Sequence, residues 1–259
     1  MDFGLKGKVA MVAAGTRGIG LACAKALAAE GCLVSICGRD EGRFLTALAE
    51  IAGDAQAFSA DVSTKDGIDQ WFDATVTSYG PPDILVTNTG GPPAGAWKEM
   101  TDEQWVAGFE STLLNVVRMV RFATPAMVER KWGRIVHITS LVAKQPNPLL
   151  PISSTLRGGL MNLTRLHASD LAPHGVTVNS VLPGHTLTDR QRHLATVRAE
   201  RSGITPDEAL RVQAEEVPAR RLADADEIAA AVAFLSSRQA SYITGVNLLV
   251  DGGLTLGPG

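Results

Sequence analysis

Short apolar segments alternate with longer amphipathic segments along nearly the whole chain, and this alternation restricts the fold more than any other feature. The apolar segments are rich in Val, Ile and Leu, as expected for parallel strands buried on both faces. Their ranges are 8–13, 33–37, 55–59, 83–87, 133–139, 176–182 and 246–250, with helical patterns at 19–31, around 102–130, at 154–172 and at 224–237. Repeated strand–helix–strand units predict an α/β fold in a single domain over residues 1–259, a doubly wound parallel sheet of about seven strands with helices on both faces.

Composition and charge exclude several classes of protein. Of the 259 residues, 45% are hydrophobic and 20% are charged, and the formal net charge is −3. These values are typical of a globular protein, whereas binding to nucleic acid or to an anionic membrane relies on clustered positive charge. No apolar run is long enough to span a bilayer. The net negative charge and the short apolar runs together mean that neither nucleic acid nor a membrane is an expected partner.

The three cysteines, Cys23, Cys32 and Cys37, form no CxxC pair. Their spacing predicts neither a disulfide framework nor a zinc site, and we expect no metal. Residues 1–15 enter a strand without the charged and then apolar pattern of a secretory leader. Together these features favour a reducing, cytoplasmic location.

A glycine-rich segment, AAGTRGIG at 13–20, follows the first predicted strand and opens the first predicted helix. A helix amino terminus offers free N–H groups and a positive dipole end to a phosphate, and glycine lets the backbone approach a pyrophosphate. Because the segment lies in a strand–helix–strand unit, it predicts a Rossmann-like dinucleotide site. The expected phosphate contacts are Gly15, Thr16, Arg17, Gly18, Ile19 and Gly20.

The end of the second predicted strand, CGRD at 37–40, bears on the choice of dinucleotide. An NAD site usually has a carboxylate here that bonds the ribose 2′-OH. This chain has Gly38 and then Arg39, and a guanidinium binds a 2′-phosphate strongly. Arg17 could reach the same phosphate. Alternatively, Arg39 is only a surface residue and Asp40 caps the next helix; the pattern favours NADP(H) over NAD(H).

Several motifs resemble those of the short-chain dehydrogenases/reductases, over nearly the whole chain. The first loop resembles TGxxxGxG, with Ala13 and Ala14 at the Thr and first Gly positions and Gly15 expected to supply the missing flexibility. TNTG at 87–90 resembles NNAG, and 241–253 resembles the last strand of the family. The resemblance is closest to β-ketoacyl-carrier-protein reductases, and within them to a divergent subgroup with altered active-site residues.

The resemblance implies further contacts and an assembly. The implied cofactor contacts are Asp61 and Val62 at the adenine, Asn88 and Gly90 in the NNAG-like motif, and Pro183, Gly184 and Thr188 at the nicotinamide carboxamide. Family members commonly form tetramers through a helix that matches 154–172 and through the last strand. We therefore expect a homotetramer or a homodimer.

The catalytic residues that the resemblance implies are mostly replaced. In the family a tyrosine transfers the hydroxyl proton, a lysine four residues later lowers its pKa, a serine holds the substrate oxygen, and an asparagine supports a water relay. Ser140 matches the serine, but Ser153 and Arg157 stand at the tyrosine and lysine positions. Thr112 stands at the asparagine position, with Asn115 one turn later.

Other polar residues could compensate for the missing phenol. His185 follows the LPG segment and is either a proton donor at the nicotinamide pocket or an exposed loop histidine. Lys144 lies in a loop expected to wall the pocket, so we expect a substrate contact. His137 alternates onto the opposite face of its strand from Ser140 and is expected in the core. The only two tyrosines, Tyr79 and Tyr242, are expected at the amino-terminal edge of the sheet, away from the site.

A long insertion at about 185–217 follows the sixth predicted strand. Ligands bind beyond the carboxyl ends of parallel strands, so this insertion is expected to form a substrate lid, and the alternative is a solvated helical pair. It is rich in arginine, with Arg190, Arg192, Arg198, Arg201 and Arg211.

Two hypotheses of function remain open. The first is an NADP(H)-dependent oxidoreductase that acts on a carbonyl or hydroxyl substrate, a small molecule or an acyl thioester, through Ser140, Ser153 and Arg157. In it, Ser140 holds the substrate oxygen, Arg157 bonds the cofactor ribose, and Ser153, a water or His185 passes the proton. The second is a dinucleotide-binding sensor, scaffold or partner subunit without turnover. The enzyme is favoured because cofactor segments, lid and Ser140 occur together.

Overall fold

Seven parallel strands form one sheet in the computed structural model, which describes residues 2–256. The strands are β1 (Val9–Val12), β2 (Leu33–Gly38), β3 (Ala55–Ser59), β4 (Ile84–Thr87), β5 (Gly133–Ile138), β6 (Val176–Pro183) and β7 (Asn247–Val250). Their order is β3-β2-β1-β4-β5-β6-β7. The chain leaves β1 toward one edge and returns to its other side at β4, so the doubly wound fold that the sequence predicts is confirmed.

Helices cover both faces of the sheet. They are α1 (Gly18–Ala29), α2 (Phe44–Glu50), α3 (Lys65–Tyr79), α4 (Asp102–Phe109), α5 (Asn115–Glu129), α6 (Pro151–Leu171), α7 (Asp189–Ser202), α8 (Pro206–Glu216) and α9 (Ala225–Ser236). A π-helical turn, Glu110–Leu114, joins α4 to α5. Within residues 2–256, none of the helices has the length and apolar character needed to cross a bilayer.

Alternate residues of each central strand enter two separate cores. Val12 and Val136 pack with α1 and α9 on one face, whereas Met11 and Ile135 pack with α3, α5 and α6 on the other. All four side chains are at most 1% exposed. Burial of such a side chain contributes about 1.5–3 kcal/mol, and burial on both faces is why the strands are almost continuously apolar.

The predicted strands agree with the observed ones to within one residue at each end, but two helix predictions need correction. The helix predicted at 154–172 begins at Pro151, because proline is well suited to the first turn, where its missing N–H would have no partner. The helix predicted around 102–130 contains the π-helical turn at 110–114. That turn packs against α6 close to Ser153 and Arg157.

Candidate active site

A cavity of ≈ 1110 Å³ opens at the carboxyl edge of the sheet, where the strand order reverses between β1 and β4. A ligand is expected at this position in a doubly wound sheet. Most of the predicted site residues line it, namely Thr16, Arg17, Gly18, Ile19, Arg39, Asp61, Val62, Asn88, Gly90, Ser140, Ser153, Arg157, Pro183, Gly184 and Thr188. The predicted residues Gly15, Gly20, Lys144 and His185 are not part of this lining.

The glycine-rich loop presents the open amino terminus of α1 to the cavity. The helix has neither a side-chain cap nor an acidic residue in its first turn, so its N–H groups are available to an anion. The Asn88 amide donates to the carbonyl oxygens of Ala13 (3.3 Å) and Ala14 (3.4 Å) and ties the loop to β4. A Cβ atom at Gly20 would lie 2.3 Å from the Ala14 oxygen, so Gly20 serves close packing rather than lining the cavity.

The expectation that Gly15 supplies the flexibility missing at Ala14 is wrong. Ala14 itself adopts the left-handed conformation, with φ 48°, which costs an alanine roughly 1–2 kcal/mol. Gly15 is buried, and a Cβ atom there would lie 2.7 Å from the Ile36 side chain. Glycine is therefore required at 15 for space, and the strain lies at 14.

We expect Ala14→Gly to leave the free energy of unfolding unchanged or to raise it by up to about 1 kcal/mol. Removing the backbone strain at a left-handed alanine stabilises the folded state. This gain offsets the greater conformational entropy of glycine in the unfolded chain. Ala13→Gly is the matched control, because Ala13 is fully buried without a positive φ. This substitution should lower the free energy of unfolding by about 1 kcal/mol. Equilibrium urea unfolding measures both, and an equal loss in the two variants would contradict the strain at Ala14.

The residues at the end of β2 place a positive charge, that of Arg39, at the edge of the cavity. A Cβ atom at Gly38 would lie 2.8 Å from the Thr16 side chain, so no larger residue fits without rearrangement. Arg39 lies 3.8 Å from the Asp61 carboxylate, and its side chain is 77% exposed. Burial opposes ionisation of Asp61, but hydrogen bonds from Ser63 and the Arg39 charge bring the pKa of its carboxyl below the usual value.

Asp40 caps the short turn that follows β2, as predicted. Its carboxylate accepts from the Gly42 amide at 3.2 Å and from Arg43 Nε at 3.0 Å. Across the cavity mouth, Arg17 lies 3.6 Å from Asp189 at the start of α7. Because Asp40 is used as a cap and Arg39 remains exposed, the guanidinium at 39 can turn toward a ligand.

Two serine hydroxyls lie at the opposite end of the cavity. Ser140 follows β5, and its Oγ accepts from the Val142 amide at 3.3 Å. Ser153 lies in the first turn of α6, and its Oγ accepts from Arg157 Nε at 3.2 Å. Since each oxygen already accepts a hydrogen bond from the protein, each O–H proton remains available to donate to a ligand oxygen.

Arg157 is a buried cation, only 6% exposed. Its Nη1 donates to the carbonyl oxygens of Ile138 (3.0 Å) and Thr139 (2.8 Å) at the end of β5. Burial, and then the charge of Arg190, lowers the pKa of its guanidinium to about 10, so it stays protonated at neutral pH. The side chain therefore supplies a fixed positive charge beside Ser153.

Comparison with known proteins identifies the family. A family model described as "Enoyl-(Acyl carrier protein) reductase" matches residues 13–255. The chain belongs to the short-chain dehydrogenase/reductase family. It is 32% identical over 252 residues to the 3-oxoacyl-[acyl-carrier-protein] reductase FabG of Haemophilus influenzae, a match that covers 97% of this chain and 100% of that one.

Solved structures of the family have the same fold. L-sorbose reductase from Gluconobacter frateurii, complexed with NADPH and L-sorbose, superposes with a TM-score of 0.92 at 32% identity, over 99% of this chain and 100% of that one. A variant of the actinorhodin polyketide ketoreductase with NADPH gives 0.92 at 34% identity, over 95% and 97% of the two chains. This agreement shows that the chain has the fold of a short-chain dehydrogenase/reductase.

Two residues expected near the substrate in this short-chain dehydrogenase/reductase lie elsewhere. His185 is partly buried near Arg198 and Glu216; burial, and then the Arg198 charge, lowers the pKa of its imidazole. Lys144 is partly buried beyond the short turn that follows Ser140 and does not reach the cavity wall. Neither His185 nor Lys144 is part of the cavity lining.

Five further polar residues also lie outside the cavity lining. His137 is fully buried, as predicted, and bonds Thr87 at 2.8 Å; burial, and then the charge of His167, lowers the pKa of its imidazole to about 3. Thr112 and Asn115 are also buried. The two tyrosines are also absent from the lining, since Tyr79 donates to Asp54 and Tyr242 is fully exposed.

The cavity also contains residues that the sequence analysis did not assign to the site. They include Gly91, Pro92 and Pro93 after β4, Gln104, Glu110 and Ser111 near the π-helical turn, and Arg190, Gln191, His193 and Leu194 in α7. The only sequence signal was the arginine-rich insertion, which contains Arg190. The amino-terminal part of α7, rather than the whole segment 185–217, lies over the cavity.

Proposed function

We propose that this protein is an NADP(H)-dependent oxidoreductase that moves a hydride to or from the carbonyl or hydroxyl carbon of a substrate. The proposal rests mainly on one observation. Ser140 lines the same cavity as the hydrogen-bonded pair Ser153 and Arg157, and the open amino terminus of α1 enters that cavity. A phosphate site and a site for a polarised oxygen are thus present together.

The residues of the cavity fit NADP(H). The uncapped α1 terminus suits the diphosphate, the small Gly38 leaves no carboxylate at the ribose, and Arg39 with Arg17 suits a 2′-phosphate. The two related structures described above contain NADPH. When bound, NADPH supplies the hydride.

In the proposed mechanism, the hydroxyl groups of Ser140 and Ser153 donate to the substrate oxygen. Negative charge develops on this oxygen as the carbonyl carbon is reduced, and donors already oriented toward it stabilise the transition state. Arg157 adds a positive charge and, through its bond to the Ser153 oxygen, strengthens the Ser153 hydroxyl as a donor. The hydrogen bonds to the Ile138 and Thr139 oxygens hold the Arg157 side chain in place. Its remaining N–H donors make the proposed contact with the cofactor ribose.

We further propose that Ser153 and Arg157 replace the tyrosine and lysine of the family, so that the site has no phenolic acid. A serine hydroxyl is too weak an acid to replace a phenol, so the reduced oxygen takes its proton from solvent water without the help of a general acid. The expected cost is ~10²–10⁴-fold in rate relative to a site with a general acid.

The proposed substrate is a small carbonyl compound or an acyl thioester. The enzyme works in the cytoplasm as a homotetramer or homodimer, and α7 forms part of its lid.

The altered catalytic positions also support a second function. In it, the protein binds the dinucleotide as a sensor, scaffold or partner subunit and does not turn over. The chemistry at 153 and 157 favours this function, whereas the two free serine O–H donors in the cavity favour the enzyme.

Incubation of the pure protein with NADPH and a panel of β-keto thioesters, diketones and quinones tests the proposal. We expect NADPH oxidation with at least one substrate, followed by absorbance, and a loss of at least about tenfold in Ser140→Ala and in Arg157→Ala. Tight NADPH binding without turnover would favour the sensor or scaffold. Turnover that survives both substitutions would contradict the assigned roles.

A further inference from the structure

We propose that Arg157 and Arg190 together bind a carboxylate of the substrate, so that the enzyme acts on short oxo acids or hydroxy acids. This inference rests on the proposed function, because it names the substrate class of the same site. It also assigns a specificity-determining role to Arg190, a lid residue that carries none of the proposed hydride chemistry.

The cavity contains two cations without counterions. Five arginines line it, and three of them have a carboxylate within 4 Å: Arg17 with Asp189, Arg39 with Asp61, and Arg43 with Asp40. In residues 2–256, Arg157 and Arg190 have no such partner and bond only to carbonyl and hydroxyl oxygens. Of these two, Arg157 contacts Ser153, and Arg190 lines the same cavity.

Arg190 extends from the first turn of α7 to the opposite wall of the cavity. Its Nη2 donates to the Pro92 carbonyl oxygen at 2.5 Å. The guanidinium lies against the backbone of Gly91, where a Cβ atom would be 3.1 Å from Nη2. This contact orients Arg190 and leaves its other N–H donors for a ligand.

The two cations repel each other, and burial makes the repulsion costly. The charge of Arg190 contributes to the lowered pKa of Arg157, and burial alone lowers that of Arg190. Four carboxylates also line the cavity; three of them pair with the arginines named above, and Glu110 is exposed without an ion pair within the described residues. An anion bound between the guanidinium groups would relieve the repulsion and accept charge-assisted hydrogen bonds from both.

The position of the pair assigns this anion to the substrate rather than to the cofactor diphosphate. The cofactor phosphates have the α1 terminus, Arg17 and Arg39 as their expected partners. Arg157 instead contacts Ser153, one of the hydroxyls proposed to hold the reacting oxygen. A carboxylate at Arg157 is therefore only a few bonds from that oxygen, which favours 2-oxo and 3-oxo acids with short chains.

Calorimetric titration with acetoacetate and with its methyl ester tests the inference, both on the protein saturated with NADP⁺ and on the protein without cofactor. We expect the acid to bind at least about tenfold more tightly than the ester. Arg190→Gln should remove that preference, and Arg190→Lys should keep part of it. Arg192→Gln is the matched control, since Arg192 is exposed on the same helix and outside the cavity lining.

The outcomes separate this inference from the proposed function. Equal binding of acid and ester, or an unchanged preference in Arg190→Gln, would overturn the carboxylate site. A tenfold weaker NADPH affinity in Arg190→Gln with acetoacetate binding retained would assign the guanidinium to the cofactor diphosphate and would also overturn it. Failure of the unsubstituted protein to bind NADPH would contradict the proposed function, while the titration without cofactor would still decide the carboxylate site.

Discussion

Replacing Ser153 with tyrosine and Arg157 with lysine together is expected to raise the rate of carbonyl reduction by NADPH ~10²-fold or more, the usual contribution of a general acid. Ser153 lines the cavity from the first turn of α6, so a longer side chain would extend into the space beside Ser140. Position 157 lies one helical turn later, where a lysine cation would lower the pKa of the new phenol. The gain depends on the cofactor and substrate already binding productively.

Single-turnover reduction of the best substrate from the panel, followed by NADPH absorbance, measures this gain. Ser153→Phe with Arg157→Lys is the matched control, because it adds the same bulk without the hydroxyl. We expect the control to be no faster than the unsubstituted protein. If the tyrosine and phenylalanine variants have equal rates while both still bind NADPH, the idea that a missing acid limits the reaction is wrong.

Arg39→Gln is expected to weaken NADPH binding by ~10–100-fold while leaving NADH binding nearly unchanged, because it removes a charge-assisted hydrogen bond to the 2′-phosphate. Arg39 is exposed at the end of β2, and its only ion pair in residues 2–256 is the 3.8 Å contact with Asp61. That contact is long and solvated, so a phosphate can displace it at little cost.

Fluorescence titration of both dinucleotides, at low and at moderate salt, measures the effect. Arg43→Gln is the control; Arg43 also lines the cavity, but Asp40 holds it at 3.0 Å, and we expect a smaller change. An equal loss of NADPH and NADH affinity in Arg39→Gln would show a general electrostatic effect and would contradict a specific 2′-phosphate contact.

The strands and the phosphate loop were predictable because each depends on local order. Val12 and Met11 are consecutive and both buried, as expected for a strand covered on two faces. The glycine-rich loop is recognisable because strand, glycines and helix follow one another within a few residues. The left-handed φ of Ala14 was not predictable, since alanine usually avoids it and the surrounding loop imposes it.

The lining of the cavity was only partly predictable, because it combines segments that are far apart in the chain. Lys144 and His185 are close in sequence to Ser140 and Gly184, yet neither is part of the cavity lining. Arg190 crosses to Pro92, a contact between residues 98 positions apart. No local pattern distinguishes it from Arg192, two residues later, which lies outside the lining.

The sequence by itself determined the order of strands and helices, the phosphate loop and the amino acids at positions 140, 153 and 157, because periodicity, glycine placement and residue identity are local properties. Only the tertiary structure decided which cations lack a counterion and which hydroxyls remain free to donate. Those properties depend on the three-dimensional neighbours of each group, and burial makes every unpaired charge or donor costly enough to matter.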